Sequence, residues 1–335
     1  MKIFVSIVVF GLISADLFGQ NATPNEANYI ENKNELREIN KTISQLILNN
    51  YIFPDKAKQI SEAYSRWSEI QFENCPVSYT DYAKEATNKL KSLSSDTHFF
   101  VQASKKKKSA GALVASDSWF LGPEKGYGLT VYELLDGNVG YAKYLFFNFT
   151  MMPDAMKAID RIIAQLNLSD AIIIDLRDNP GGDGSMAEYF FSYFMPDDSL
   201  YLSSISSRGK NGEITSSENF STRVLPEARI EGKPVFILVN SKTGSSAEYF
   251  AFLAKIHKKA IIIGEQTAGA GHSLTTLKVN DYLTIGVPSS RIFDKITNTD
   301  WEETNGVVPD VIVTNNQAIE TAHKMALEAI NQKSK

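Results

Sequence analysis

Two adjacent serines, Ser245 and Ser246, stand where the apolar run PVFILV gives way to NSKTGSSAEYFAFLAKI, residues 240 to 256. A helix starting there after a strand would offer unpaired backbone amides and the positive end of its dipole. Serine at such a point is an ordinary N-cap, because its oxygen accepts bonds from first-turn amides. The chemical alternative is a nucleophile on a sharp strand-to-helix turn, with the amide of the next residue helping to hold an oxyanion. The segment alone leaves both readings open. A second stretch, DLRDNPGGDGSMAEYF at 175 to 190, also reads as strand, glycine turn and helix. Its Gly181 and Gly182 would bring backbone amides close to whatever lies above the sheet, a geometry that suits an oxyanion and a structural turn equally. EQTAGAGHS at 265 to 273 is another glycine-rich turn after a strand, and WEETNGVVPDVIV at 301 to 313 is the fourth candidate segment.

A serine hydroxyl is a poor nucleophile until a neighbouring base takes its proton, and histidine titrates in the right range. His257 precedes Lys258 and Lys259 at a predicted helix end, where cations complement the dipole. His323, on the last predicted helix, reads as a surface or packing residue. His98, in DTHF, reads by itself as a partly buried structural histidine, and His272 follows the third glycine turn. There is no pair of histidines at ligand spacing and no cysteine cluster, so no metal site is expected, and Asp175, Asp178 and Asp183 fit the strand-turn-helix itself. No Walker or Rossmann phosphate loop is present, and no cofactor is expected.

The elements that must position these residues fall into two parts. From about Asn28 to Leu93 apolar residues recur at helical spacing, as in Ile39, Ile43, Leu46 and Ile47, with breaks at Phe53-Pro54 and Cys75-Pro76. SLSSDTHFFVQ ends that helical bundle in a predicted strand, and KKKKSAGALVASDS reads as a loop or flap. From about Gly126, β-rich runs (GLTVYEL, NVGYAKYLFF, AIIIDL, LYLSSIS, PVFILV, AIIIG, LTTLKV, YLTIGVP) alternate with helices predicted near 154–167, 184–195, 245–257 and 316–331. Continuous runs such as AIIID and VFILV predict strands covered on both faces, hence an α/β layered domain.

The chain's 335 residues are 43% hydrophobic and 22% charged, ordinary globular values. A net charge of −5 gives no electrostatic reason to expect nucleic acid or an anionic membrane surface as partner, and the basic run Lys105 to Lys108 reads as a solvated loop tip. Lys2, the apolar run Ile3 to Ile13 and the small residues after it have the layout of a secretory leader, too short to span a bilayer comfortably. The mature chain is thus expected to be exported without a membrane span. Its single cysteine, Cys75, has no partner within the chain, so core packing and not disulfides must hold it together.

In their order, DTHF, DLRDNPGG, SKTGSSAEYF, GEQTAGAG and WEETNGVVPD resemble peptidase family S41, closely over about 140 to 313. The helical part is similar to that of the retinoid-binding-protein-like branch. The resemblance implies a serine endopeptidase acting on polypeptides, on a ClpP/crotonase-like core preceded by a small N-terminal helical bundle. It implies Ser245 as nucleophile, three residues before Glu248, with oxyanion donors from Ser246 and the glycine pair Gly181 and Gly182, Gly182 being favoured. Ala270 stands where the tail-specific branch carries its lysine, so the implied base is His98, oriented by Glu303 as in the tricorn-like branch. His272 competes with His98, and Glu302 with Glu303, although Glu303 has the family's spacing to Gly306. The domain boundaries expected are a leader at 1–20, a helical domain at 21–100, a linker or flap at 101–125 and the catalytic domain at 126–335. The stretch from Val101 to Thr130 is too short for the PDZ module many family members carry. The rival expectation is a non-catalytic module that binds an apolar ligand or peptide on the same scaffold.

Overall fold

The computed structural model describes residues 28–71, 76–96, 98–104, 122–148, 153–209, 212–222, 224–301 and 305–333. The leader, Cys75, the Lys105 to Lys108 run, Glu302 and Glu303 lie outside the described residues. The first elements are β1 (Tyr29–Ile30), α1 (Lys33–Asn50), α2 (Pro54–Gln71), β2 (Val77–Ser78) and α3 (Tyr79–Ser94), with β1 and β2 forming a short antiparallel pair. The Asn32 side chain caps α1 by accepting the N–H groups of Asn34 and Glu35 at 3.1 and 3.0 Å. Pro54 occupies the first position of α2, where its missing N–H costs nothing. Leu36, Ile39, Ile43 and Ile47 bury one stripe of α1. That stripe packs with Val101, Leu283, Ile285 and Val287 in a single apolar cluster, so strands complete the helical core.

The rest of the chain runs β3 (Phe100–Ala103), β4 (Leu129–Leu135), β5 (Val139–Tyr144), α4 (Pro153–Leu166), β6 (Ala171–Asp175), α5 (Gly184–Ser192), β7 (Tyr201–Arg208), β8 (Ile214–Phe220) and β9 (Val235–Val239). It continues through α6 (Ser246–Ile256), β10 (Ile261–Gly264), β11 (His272–Lys278), β12 (Leu283–Phe293), β13 (Val311–Ile312) and α7 (Ala318–Lys333). Six strands form one sheet in the order β13-β10-β9-β6-β5-β4, parallel except for β4 at the edge. The expected α/β class is what the chain adopts. Ile172 and Ile174 of β6 face a core built with α4, α5 and α6, whereas Ala171 and Ile173 face α7, which explains the unbroken apolar run. A second, antiparallel sheet orders β11-β12-β7-β8, with β3 also pairing β12. Strand β8 has no counterpart in the sequence reading, because ITSSENF is almost wholly exposed and carries no apolar alternation. No helix among the described residues is long and apolar enough to cross a membrane.

Candidate active site

The carboxyl ends of β6, β9 and β10 meet, and their loops carry three of the four candidate segments. Such loops, at the carboxyl ends of parallel strands, are where α/β sheets place ligands. After β9, Asn240 accepts the N–H groups of Lys242 and Asp178, both at 3.1 Å, and so joins the serine turn to the NPGG turn. Thr243 Oγ1 donates to Leu176 O at 2.9 Å, and Gly244 N–H donates to Asn179 O at 2.9 Å. These bonds hold Ser245 at φ 51° and ψ −121°. Ser245 is the N-cap of α6, with Glu248 at N3 accepting its N–H as in a capping box, but its backbone is not the extended one of a usual cap. A non-glycine at positive φ costs on the order of 1–3 kcal/mol and persists only where its surroundings over-determine it, most often at functional sites. Ser246 begins α6, so its N–H has no intrahelical acceptor, and its Oγ donates to Gly182 O at 2.8 Å.

The glycine pair is divided by its hydrogen bonds. Phe147, just beyond β5, donates its N–H to Gly181 O at 2.9 Å and accepts the N–H of Asp183 at 2.8 Å. That bridge leaves the Gly182 N–H outside the pairing. Gly181 donates its own N–H to Asn179 Oδ1 at 2.9 Å, so of the two glycine donors this one is already engaged within its turn. The two positions need glycine for different reasons. A Cβ on Gly181 would lie 2.7 Å from Ser245 Cβ and 2.9 Å from Ser246 N, so this turn presses directly on the serine turn. At Gly182, φ is 133° and a Cβ would lie 1.7 Å from Phe147 O. Asp175 is structural: its carboxylate takes the Arg177 guanidinium and the Tyr141 hydroxyl.

Glu248, fully buried one turn into α6, joins the serine turn to the third segment. Its Oε2 accepts the N–H of Ser245 at 2.9 Å and that of Ala270 at 2.7 Å. Its Oε1 accepts Thr267 Oγ1–H at 2.5 Å and the N–H of Gly269 at 2.7 Å. Burial pushes this carboxyl above its ordinary range, and the four donors pull the other way. Thr267 Oγ1 in turn accepts the N–H of Val307 at 2.7 Å, and Gln266 Nε2 donates to Asn305 O at 3.2 Å. The 305–307 stretch is thereby fixed against the 266–270 loop. Trp301, on the other side of Glu302 and Glu303, packs on Tyr249 and Phe252 of α6.

His98 lies in the turn before β3, and its N–H donates to Asp96 Oδ1 at 2.9 Å. Its ring Nδ1 is 3.4 Å from the same oxygen, and the side chain is 16% exposed. His272, the first residue of β11, is only 1% exposed, with Nδ1 2.7 Å from Asp96 Oδ2. The two competing histidines therefore meet on one carboxylate. Burial alone would raise the Asp96 carboxyl, but the bonds from His272 and His98 outweigh it and hold it well below the usual carboxylate range. His257 ends α6 with Nε2 donating to Leu202 O at 2.8 Å, and burial lowers its pKa. His323 is bonded to Asp136 O. Among the described residues no group of three histidine, cysteine or acidic side chains is placed to hold a metal ion.

The sequence model of peptidase family S41 matches residues 138–313, just over half of the chain and inclusive of all these loops except the His98 turn. The chain belongs to peptidase family S41. It is 30% identical over 138 residues to the nisin-resistance protein of Lactococcus lactis subsp. lactis, covering 39% of this chain and 43% of that one. It is 28% identical over 185 residues to the carboxy-terminal processing protease CtpA of Bacillus subtilis (strain 168), covering 54% of this chain and 36% of the relative. The chain thus spans less than half the length of these curated relatives. A candidate peptidase from Parabacteroides merdae ATCC 43184 shares the fold at a TM-score of 0.60 and 17% identity, over 87% of this chain and 96% of that one.

In this S41 chain the expected residues divide into three groups. Ser245, Ser246 and Gly182 are brought together at one pair of turns. His98 is reached from them through a relay: Glu248 bonds Ser245 and Ala270, His272 follows two residues later, and Asp96 holds both histidines. Glu303 lies outside the described residues, between the fixed positions Trp301 and Asn305. Two carboxylates had no assigned part in the sequence reading. Glu248 served there only as a motif marker. Asp96 was part of the DTHF string, and an aspartate two residues before a histidine, where its oxygen can take that residue's N–H, was the available signal.

Proposed function

We propose that this chain is an exported serine endopeptidase that cleaves polypeptides through an acyl-enzyme. The observation that carries the reading is Ser245, held at positive φ between β9 and α6 beside the first-turn N–H of Ser246 and the unspent N–H of Gly182. In this mechanism Ser245 Oγ attacks the scissile carbonyl while His98 takes its proton. The carbonyl oxygen becomes an oxyanion held by the N–H groups of Ser246 and Gly182, each such donor being worth about 10²–10³ in rate. His98 then protonates the leaving amine, and water, activated by the same imidazole, releases the acyl group. Glu303 orients His98 and stabilises the imidazolium. Ala270 at the lysine position of the tail-specific branch argues for this histidine base. The names of the relatives, a carboxy-terminal processing protease among them, support a polypeptide substrate, and the leader-like N-terminus supports export. Segment 126–335 would be the catalytic unit, 21–100 its helical partner and 101–125 a linker or flap whose first residues, Val101 to Ala103, belong to β3.

A fluorophosphonate probe tests the assignment. The wild type is expected to label covalently and to cleave members of a peptide library, and Ser245→Ala to do neither. Equal labelling of both proteins would discard Ser245 as nucleophile. Peptides left intact by a wild type that still protects a bound ligand would instead establish the binding-module reading.

A further inference from the structure

We infer that Asp96 and His272 form a buried pair that positions the His98 imidazole and registers it against the serine turn. The inference deepens the proposed function and rests on His98 being the base. One oxygen of Asp96 takes the His98 N–H at 2.9 Å and lies 3.4 Å from its Nδ1, while the other oxygen lies 2.7 Å from His272 Nδ1. Asp96 and His272 are each 1% exposed, whereas His98 is the more accessible ring. The Phe53 ring meets His272 edge-on with centroids 5.3 Å apart. Arg291, opposite His272 in the β11–β12 ladder, donates its Nε–H to Asp300.

This arrangement solves a problem of assembly. Ser245 stands on the parallel sheet, and His98 precedes a strand of the antiparallel sheet. Glu248 fixes the Ala270 amide to the Ser245 amide through a single oxygen, and His272 is two residues further along that chain. By clasping His272, Asp96 ties the His98 turn to the same loop. A base displaced by about 1 Å can lose on the order of 10²-fold in rate, so such a tie acts on turnover more than on substrate affinity. His272 is the more buried ring, with its Nδ1 already on Asp96, and His98 is the more accessible one, which is why the anchor is assigned to His272. Neither residue touches the reacting atoms on this reading, so both are positioning residues.

The test compares His272→Ala, His272→Asn and Asp96→Asn with the wild type in kcat, KM and fluorophosphonate labelling rate, with thermal unfolding as a check on folding. An asparagine amide can occupy the place of the imidazole Nδ1–H and still donate to Asp96. His272→Ala and Asp96→Asn are expected to lower kcat about 10- to 100-fold with KM within about twofold. His272→Asn should recover most of the loss. Wild-type kcat in His272→Ala overturns the inference, and so does a folded His272→Asn as inert as Ser245→Ala, which makes His272 the base. If His272→Ala does not fold, His272→Asn and Asp96→Asn carry the comparison. A wild type that never labels at Ser245 sinks the peptidase reading instead. The pairing is then read by nitrogen-15 NMR of the imidazoles: a His272 Nδ1–H tautomer and a His98 ring perturbed by Asp96→Asn sustain it, and their absence overturns it.

Discussion

Replacing Glu248 by glutamine keeps the volume of the side chain and removes one acceptor oxygen, which makes it a sharp probe of the serine turn. The carboxylate now receives two donors on each oxygen: Ser245 and Ala270 amides on Oε2, Thr267 hydroxyl and Gly269 amide on Oε1. In either orientation the glutamine NH₂ must face an N–H it cannot accept. Turned toward Ser245 and Ala270 it strands two amides. Turned the other way it strands Gly269 and confronts Thr267, whose oxygen is already receiving the Val307 N–H. Each stranded buried donor costs about 1–3 kcal/mol, so with two donors disturbed a loss of about 2–6 kcal/mol is expected. With an unfolding entropy of about 2.1 cal/mol/K per residue over this 335-residue chain, that is a Tm lower by ~3–9 °C. Because one stranded amide belongs to Ser245 in the first orientation, the fluorophosphonate labelling rate should fall with it. Differential scanning calorimetry and labelling at matched fractions folded measure the two effects. A Glu248→Gln protein with wild-type Tm and wild-type labelling would falsify the four-donor account of this carboxylate.

Gly182→Ala should be far more damaging than a surface alanine, since its Cβ would fall 1.7 Å from Phe147 O at a φ of 133°, and the soluble yield and Tm of the variant report it. Gly181→Ala, pressing on Ser245 Cβ from 2.7 Å, should lower labelling even in the molecules that fold, and labelling per folded molecule separates the two glycines. The Asp96 carboxyl is held below its unfolded value of about 3.9, so as pH falls the unfolded chain takes up a proton that the folded chain still refuses. Its contribution to stability is therefore complete above that value and is lost on acidification, whereas Glu248, raised by burial, works in the opposite sense. Denaturant unfolding between about pH 3 and 6 should show a shallower acid loss in Asp96→Asn than in the wild type, and parallel curves would contradict the pairing.

The strands and helices that position the site were readable because their signal is local. AIIID and VFILV are apolar throughout, and the structure covers both of their faces. The loops were readable too, since glycine-rich turns follow strands in three places. The limits of the sequence are visible in particular residues. ITSSENF forms an edge strand by pairing with β7, an interaction its own composition does not announce. Gly181 and Gly182 are equivalent as letters, and only the Asn179 side chain, by taking the first N–H, tells them apart.

The histidines carry the argument furthest. His98 and His272 looked like rivals because periodicity and motif spacing describe each residue against its neighbours in the chain. Asp96 and His272 are separated by 176 positions and joined at 2.7 Å. Once one carboxylate is seen to bond the His272 ring and the His98 backbone N–H, the question of which histidine is the base changes form. A buried imidazole with its Nδ1 committed to an aspartate can hold that aspartate in place, and the aspartate can fix the turn that presents the more exposed ring. Competition for one role becomes a division between two, and the asparagine variant of His272 distinguishes them because it can replace the anchor and cannot replace a base.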